Sequence, residues 1–139
     1  MWISRLQVQH LRCFKAASLL PIAGLNILTG ANGTGKSTVL EALSLLGCGR
    51  SFRGGGRAPL VRKGEERLSV FAEVQGKRGS QRIGFSRTAS SWSAKVNGEV
   101  VGSLAKLVRE MPILVLEPGS HSLVEGPSES RRRLFDWFL

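Results

Sequence analysis

Hydrophobic positions change period several times along the chain, and each change marks an element. Trp2, Leu6 and Val8 alternate with Ile3, Arg5, Gln7 and Gln9, which predicts a first strand with one markedly polar face. His10 to Ala17 reads as a turn, and Leu19 to Ile22 as a second strand that Pro21 places at a sheet edge. Leu25, Ile27 and Leu28 predict a short buried strand ending at Thr29. A helical period follows, with Val39, Leu40, Leu43 and Leu46 on one face and Gly47 and Gly49 as its stop.

From about residue 66 to 101 the period returns to two. Leu68, Val70, Ala72 and Val74 share one face of a long strand, Ile83 and Phe85 one face of the next, and Trp92, Ala94 and Val96 a third. Asn97-Gly98 is the favoured two-residue hairpin turn before Val100, so this stretch predicts an antiparallel meander, read as scaffold without chemistry. Leu104 to Met111 predicts a short helix buried through Leu104, Leu107 and Val108 and ended by Pro112. Ile113 to Leu116 is a continuous apolar run of the kind found in central strands. A last helix is expected from Pro127 or Ser128, carrying Arg131, Arg132 and Arg133 and then Leu134, Phe135, Trp137, Phe138 and Leu139. The sequence stops inside that apolar stretch with no helix-ending signal, which reads as truncation. The expected organisation is a lobe over residues 1–126 and the start of a helical lobe over 127–139.

Between the strand at 25–29 and the helix lies Gly30-Ala31-Asn32-Gly33-Thr34-Gly35-Lys36-Ser37, which fits G-x-x-x-x-G-K-[ST]. Backbone N–H groups must converge on phosphate oxygens from several sides, and Gly30, Gly33 and Gly35 permit the dihedrals and the close approach. Lys36 brings a charge to the β and γ phosphates, Ser37 offers a hydroxyl to Mg²⁺, and the helix N-terminus aims its amides, with Thr38 among the first, at the anion. Gly30 through Thr38 are therefore the candidate ATP-binding residues. The glycine spacing does not fit the dinucleotide fingerprint G-x-G-x-x-G, in which Lys36 would have no role.

Charge sharpens this picture. Twenty Lys and Arg stand against ten Asp and Glu, a formal +10, which favours polyanionic partners. Arg50, Arg53 and Arg57 crowd a glycine-rich loop around Phe52, a composition suited to a nucleic acid backbone or the edge of a nucleotide; a soluble connector is a close alternative, and the charge density tips the reading toward function. Arg12, Phe14 and Lys15 form a smaller cation–aromatic group, in which Phe14 reads first as an anchor to the core. Two cysteines, Cys13 and Cys48, give neither a disulfide framework nor a zinc site and fit a reduced cytoplasmic setting. No run approaches membrane-spanning length, and the start has no signal-peptide core.

Hydrolysis requires more than a phosphate cradle. A P-loop ATPase also needs an acidic residue at the end of an apolar strand to hold magnesium. Asp136, the sole aspartate, follows an arginine run, whereas Glu117 ends the 113–116 run and is open to either a metal-proximal role or a plain Pro-Gly turn. The residues read as competent to bind nucleotide, without an evident second acidic motif.

The sequence resembles the RecF family of DNA replication and repair ATPases, relatives of SMC and ABC-type heads. The resemblance rests on His10 to Lys15 after the first strand, on Gly30 to Ser37 with Glu41-Ala42, and on Gly49-Arg50-Ser51-Phe52-Arg53. It continues through Val96-Asn97-Gly98 and Gly126-Pro127 to Arg131-Arg132 and Phe135-Asp136-Trp137. It implies an α/β fold, a P-loop NTPase head lobe of ABC/SMC type with an antiparallel meander subdomain and a partial C-terminal helix. It further implies ATP and Mg²⁺ as cofactors, an ATP-dependent homodimer, and binding to DNA at single-strand gaps and junctions. RecR and RecO, and through them RecA, are the implied partners in recombinational repair and the SOS response, with a weak DNA-dependent ATPase activity in the full-length protein. Arg50, Arg53, Arg57, Arg131 and Arg132 are the candidate DNA contacts. Two alternatives stand beside this reading: a basic nucleic-acid-binding P-loop fragment without ATP turnover, and a small P-loop kinase.

Overall fold

The computed structural model describes residues 1–53, 59–76, 79–116, 128–129 and 132. Six strands form one sheet in the order β2-β1-β3-β4-β5-β6, every neighbouring pair antiparallel. The strands are β1 (Trp2–Leu11), β2 (Phe14–Leu19), β3 (Leu68–Gly76), β4 (Gly79–Arg87), β5 (Trp92–Val96) and β6 (Glu99–Val101). Two helices, α1 (Lys36–Cys48) and α2 (Leu104–Glu110), pack on one face of it.

The period-two pattern places the core. Leu6 and Val8 of β1, Leu68 through Val74 of β3 at alternate positions, Ile83 and Phe85 of β4 and Ala94 of β5 point to the helices and are buried. They meet Val39, Ala42, Leu45 and Leu46 of α1 and Leu107 of α2. The meander forms as its sequence predicts, and it joins β1 and β2 in the same sheet. Asn97 and Gly98 both take positive φ (51° and 90°), the dihedral sign that a two-residue turn of the primed type requires. Trp92 is 41% exposed, yet its ring stacks on Phe85 at 6.3 Å between centroids.

Several expectations are corrected. A register shift between Ile3 and Arg5 inserts a residue into β1, so Ile3 packs toward the core and Trp2 lies outward, the reverse of strict alternation. β1 runs on to Leu11, the turn shrinks to Arg12-Cys13, and the edge strand is Phe14–Leu19, not Leu19–Ile22. On α1 the buried stripe is Val39, Ala42, Leu45 and Leu46, while Leu40 is 43% exposed. Gly47 lies inside the helix, and Gly49 alone ends it, with φ 66° and its N–H donating to the Leu45 carbonyl.

The two apolar runs expected as buried strands are neither. Leu25 and Ile27 are 83% and 74% exposed, and residues 25–29 lie outside any strand. Asn26 instead closes the preceding loop, accepting from Ile22 N–H at 3.0 Å and donating to the Ile22 and Gly24 carbonyls. Residues 113–116 are also outside any strand, with Leu114 and Leu116 exposed and Ile113 set against Gly47. Both runs lack a ladder partner among the described residues, and an apolar run becomes a strand only when a neighbour satisfies its backbone. Of the expected last helix, Ser128, Glu129 and Arg132 are helical and exposed, and the rest lies outside the described residues. Among the described residues no helix is long and apolar enough to cross a membrane.

Candidate nucleotide site

The glycine loop folds at the N-terminus of α1 in the manner its composition demands. Gly30, Gly33 and Gly35 all have positive φ, at 147°, 85° and 100°. Gly35 is fixed twice, because a Cβ there would stand 2.5 Å from Phe14 Cζ as well as requiring left-handed backbone. Phe14 therefore seats the loop on β2 as well as packing against the core. The Gly35 carbonyl accepts from the Thr38 and Val39 N–H groups and starts the helix.

Lys36 reaches back over the loop and donates from Nζ to the Gly30 and Ala31 carbonyls, at 2.7 Å each. Thr34 Oγ1 donates to the Ala31 carbonyl at 2.9 Å. Asn32, Gly33, Gly35, Lys36, Ser37 and Thr38 line a hollow of about 320 Å³. Gly30, Ala31 and Thr34 do not line it but hold the loop together through these bonds. Ser37 faces this hollow, so its hydroxyl can complete the shell of a Mg²⁺ ion held mainly by phosphate oxygens and water, the usual arrangement for that ion.

Two arginines from outside the motif join the hollow: Arg12, from the β1–β2 turn beside Cys13, and Arg53, from the segment after α1. The link between them is Glu41. Its side chain is fully buried on α1 and accepts from Arg12 Nε and Nη2 at 2.9 and 2.7 Å, while the Ser51 hydroxyl donates to the same carboxylate. Ser51 Oγ in turn accepts from the Arg53 N–H at 3.2 Å. Burial alone would push the Glu41 carboxyl up, but the bonds from Arg12 and Ser51 and the charges of Arg12 and Arg53 together hold it below its ordinary value. The hydrogen bond to Glu41 raises Arg12 against the opposing effect of burial.

The β1–β2 turn is buttressed from its other side. Arg12 N–H donates to the Leu60 carbonyl, Arg62 N–H to the His10 carbonyl, and Arg62 Nη1 to the Cys13 carbonyl at 2.6 Å. The segment beyond α1 thus returns across the turn that carries Arg12.

Sequence reasoning located the loop, but not the carboxylate that organises its flank. The available signal was the row Thr38, Glu41 and Ser44, three polar residues at three-residue spacing, all buried in an otherwise apolar helix. Of the candidate DNA contacts, Arg53 lies at this hollow and Arg50 is exposed and does not line it, its carbonyl accepting from Ser44. Arg132 is helical and exposed. Arg57 and Arg131, like Glu117, lie outside the described residues.

Residues 5–106 match the family described as AAA domain. The chain is 44% identical to the DNA replication and repair protein RecF of Stenotrophomonas maltophilia (strain R551-3), over 100% of this chain and 40% of that protein. It is 42% identical to RecF of Shewanella amazonensis (strain ATCC BAA-1098 / SB2B), over 99% and 38%. A solved structure of the recombination mediator protein RecF with ATP, from the RecFOR pathway, superposes with a TM-score of 0.84 at 31% identity, over 96% of this chain and 36% of that one. The SMC head domain from Thermotoga maritima superposes at 0.60 with 16% identity, over 79% and 42%, a likeness of fold alone. The chain spans about 40% of the length of the curated relatives it matches. The architecture is that of an ABC/SMC-type P-loop head fragment.

Proposed function

Since this chain belongs to the AAA domain family and is RecF in type, we propose that it is the ATP-binding part of a DNA replication and repair protein. In this reading it holds ATP through residues 30–38 with Mg²⁺ at Ser37 and dimerises around the nucleotide in the cytoplasm. The protein binds DNA at single-strand gaps and junctions. With RecR and RecO it assists the loading of RecA in recombinational repair and the SOS response. The observation that carries the nucleotide reading is the convergence of Lys36, Arg12 and Arg53 on one hollow at the start of α1. A glycine-rich surface turn with a solvated lysine would not recruit two arginines from distant segments.

Lys36→Ala tests it. Loss of one charge-assisted bond to phosphate is worth roughly 1.5–3 kcal/mol, so affinity for a fluorescent ATP analogue should fall about ten- to a hundredfold with an unchanged circular dichroism spectrum. Binding at wild-type strength would remove the cradle assignment.

One observation favours a second description, nucleotide binding without turnover by this stretch alone. Among the described residues no acidic side chain lines the hollow. Steady-state ATP hydrolysis by the chain, measured with and without gapped DNA, separates the two, because turnover in isolation needs a magnesium-holding or water-orienting group.

A further inference from the structure

The face of the sheet turned away from α1 and α2 carries a glycine that the fold does not need. Gly84 lies in the middle of β4, paired with Phe71 of β3 on one side and Lys95 of β5 on the other. Its φ is outside the left-handed region, so the backbone does not require glycine. A Cβ built there would meet no atom within 4 Å, so packing does not require it either. The Phe71 ring therefore leaves Gly84 uncovered, although a cross-strand aromatic often covers such a glycine. Glycine in a strand interior weakens the strand, and what remains to explain it is the close approach of something else.

What surrounds Gly84 indicates the visitor. It floors a hollow of about 580 Å³ walled by Phe71, Arg82, Lys95 and Asn97. Arg82 and Lys95 are exposed, and Phe71 is half-buried and lines the hollow. Asn97 is held in place, its Oδ1 accepting from the Arg82 N–H at 2.8 Å. Glu73, two residues along β3 from Phe71 on the same face and paired with Arg82 across the ladder, has its carboxylate 3.7 Å from Arg5 Nε. Two cations beside an aromatic ring over a bare stretch of strand match a sugar-phosphate backbone with an unstacked base. An acidic peptide would use the cations but would gain little from the ring or the missing side chain.

We propose that this hollow on the outer face of the meander binds single-stranded nucleic acid, with a base against Phe71 above Gly84 and phosphates on Arg82 and Lys95. The inference rests on the nucleic-acid reading above and places a contact surface apart from the nucleotide hollow. Gly84 is kept bare so that the strand can lie against the sheet.

The test is Gly84→Val, with Gly84→Ala as a smaller second variant, made in the whole chain. Both substitutions favour a strand, so the unfolding temperature should hold or rise. Affinity for a labelled oligothymidine of about 16 nucleotides, read by fluorescence anisotropy, should fall about tenfold in Gly84→Val and in Phe71→Ala, the scale of one stacked base. Lys95→Ala should reduce the slope of log affinity against log salt by about 0.7. Duplex of the same length should be bound more weakly by the wild type and respond less to Phe71→Ala. If Gly84→Val and Phe71→Ala bind oligothymidine as the wild type does while Arg53→Ala does not, the strand lies elsewhere and this site is refuted with the nucleic-acid reading intact. If heparin or an acidic peptide competes equally and Phe71→Ala has no effect, the hollow is a polyanion or protein surface and the proposal fails. If the wild type shows no salt-sensitive binding to oligothymidine or duplex, the nucleic-acid reading falls and this site with it.

Discussion

Glu41→Ala is the most informative single change in the fold, because one buried carboxylate ties α1 to both arginine-bearing segments. The substitution removes the acceptor of two Arg12 bonds at 2.9 and 2.7 Å and of the Ser51 hydroxyl. Breaking one side of a buried ion pair costs about 3–5 kcal/mol, and we take the lower end because the Arg12 side chain keeps 18% exposure and water can reach it. For a chain of this size about 3 kcal/mol lowers the thermal midpoint by roughly 10 °C. Glu41→Gln keeps the shape and part of the bonding, so about half that loss is expected. The pH dependence separates charge from shape. The folded-state carboxyl lies below its ordinary value of 4.5, so near that pH the unfolded chain binds more protons than the folded one. The stability Glu41 contributes is fully present above 4.5 and is lost as the pH falls from there through the lower folded-state value. Urea midpoints measured from neutral pH into acid should therefore fall more steeply for the wild type than for Glu41→Gln. Equal midpoints for wild type and Glu41→Ala at neutral pH, or parallel acid limbs for wild type and Glu41→Gln, would refute the reasoning.

Two further changes test how the loop and the sheet are held. Gly35→Ala forces a Cβ to 2.5 Å from Phe14 at a φ of 100°, so a loss of about 1–3 kcal/mol is expected in urea unfolding; Phe14→Leu in the same background should restore only the steric part. Gly98→Ala should cost about 1 kcal/mol through its φ of 90°, and Asn97→Ala more, since it also leaves the Arg82 N–H without its 2.8 Å acceptor; chemical denaturation of the pair ranks them.

Local signals proved legible in proportion to how little they depended on distant partners. The glycine loop, the hairpin at Asn97-Gly98 and the alternation from Leu68 to Val74 are set within a few residues, and all fold as read. The runs at 25–29 and 113–116 were misread for the opposite reason: apolar character says that a segment seeks burial, whereas becoming a strand depends on a partner's hydrogen bonds. The reversal of Trp2 and Ile3 has a comparable cause, since one inserted residue exchanges the two faces of β1 and leaves no mark in composition. Glu41 was visible in the sequence but its role was not, because a helical glutamate is ordinarily solvated and only the fold brings Arg12 and Ser51, 29 and 10 residues away, to meet it.

These contacts also bear on why the cradle has three cations when the loop motif brings one. Arg12 is compensated by Glu41, so its charge can sit beside the hollow without repelling its neighbours at full strength. Lys36 has two of its three donors on the Gly30 and Ala31 carbonyls, which holds the ammonium across the loop before any ligand arrives and leaves a third donor for a phosphate oxygen. Arg53 enters from a segment whose start is bound to Glu41 through Ser51 and whose continuation, at Leu60 and Arg62, is bonded to the backbone of the Arg12 turn. Lys36 and Arg53 thus bring two positive charges to a hollow that no acidic side chain lines among the described residues, and an anion entering it finds donors already oriented. The same ties that fix Arg12 and Arg53 make them sensitive to a change at Glu41, so nucleotide affinity and neutral-pH stability should fall together in Glu41→Ala, through one carboxylate that lies outside the hollow.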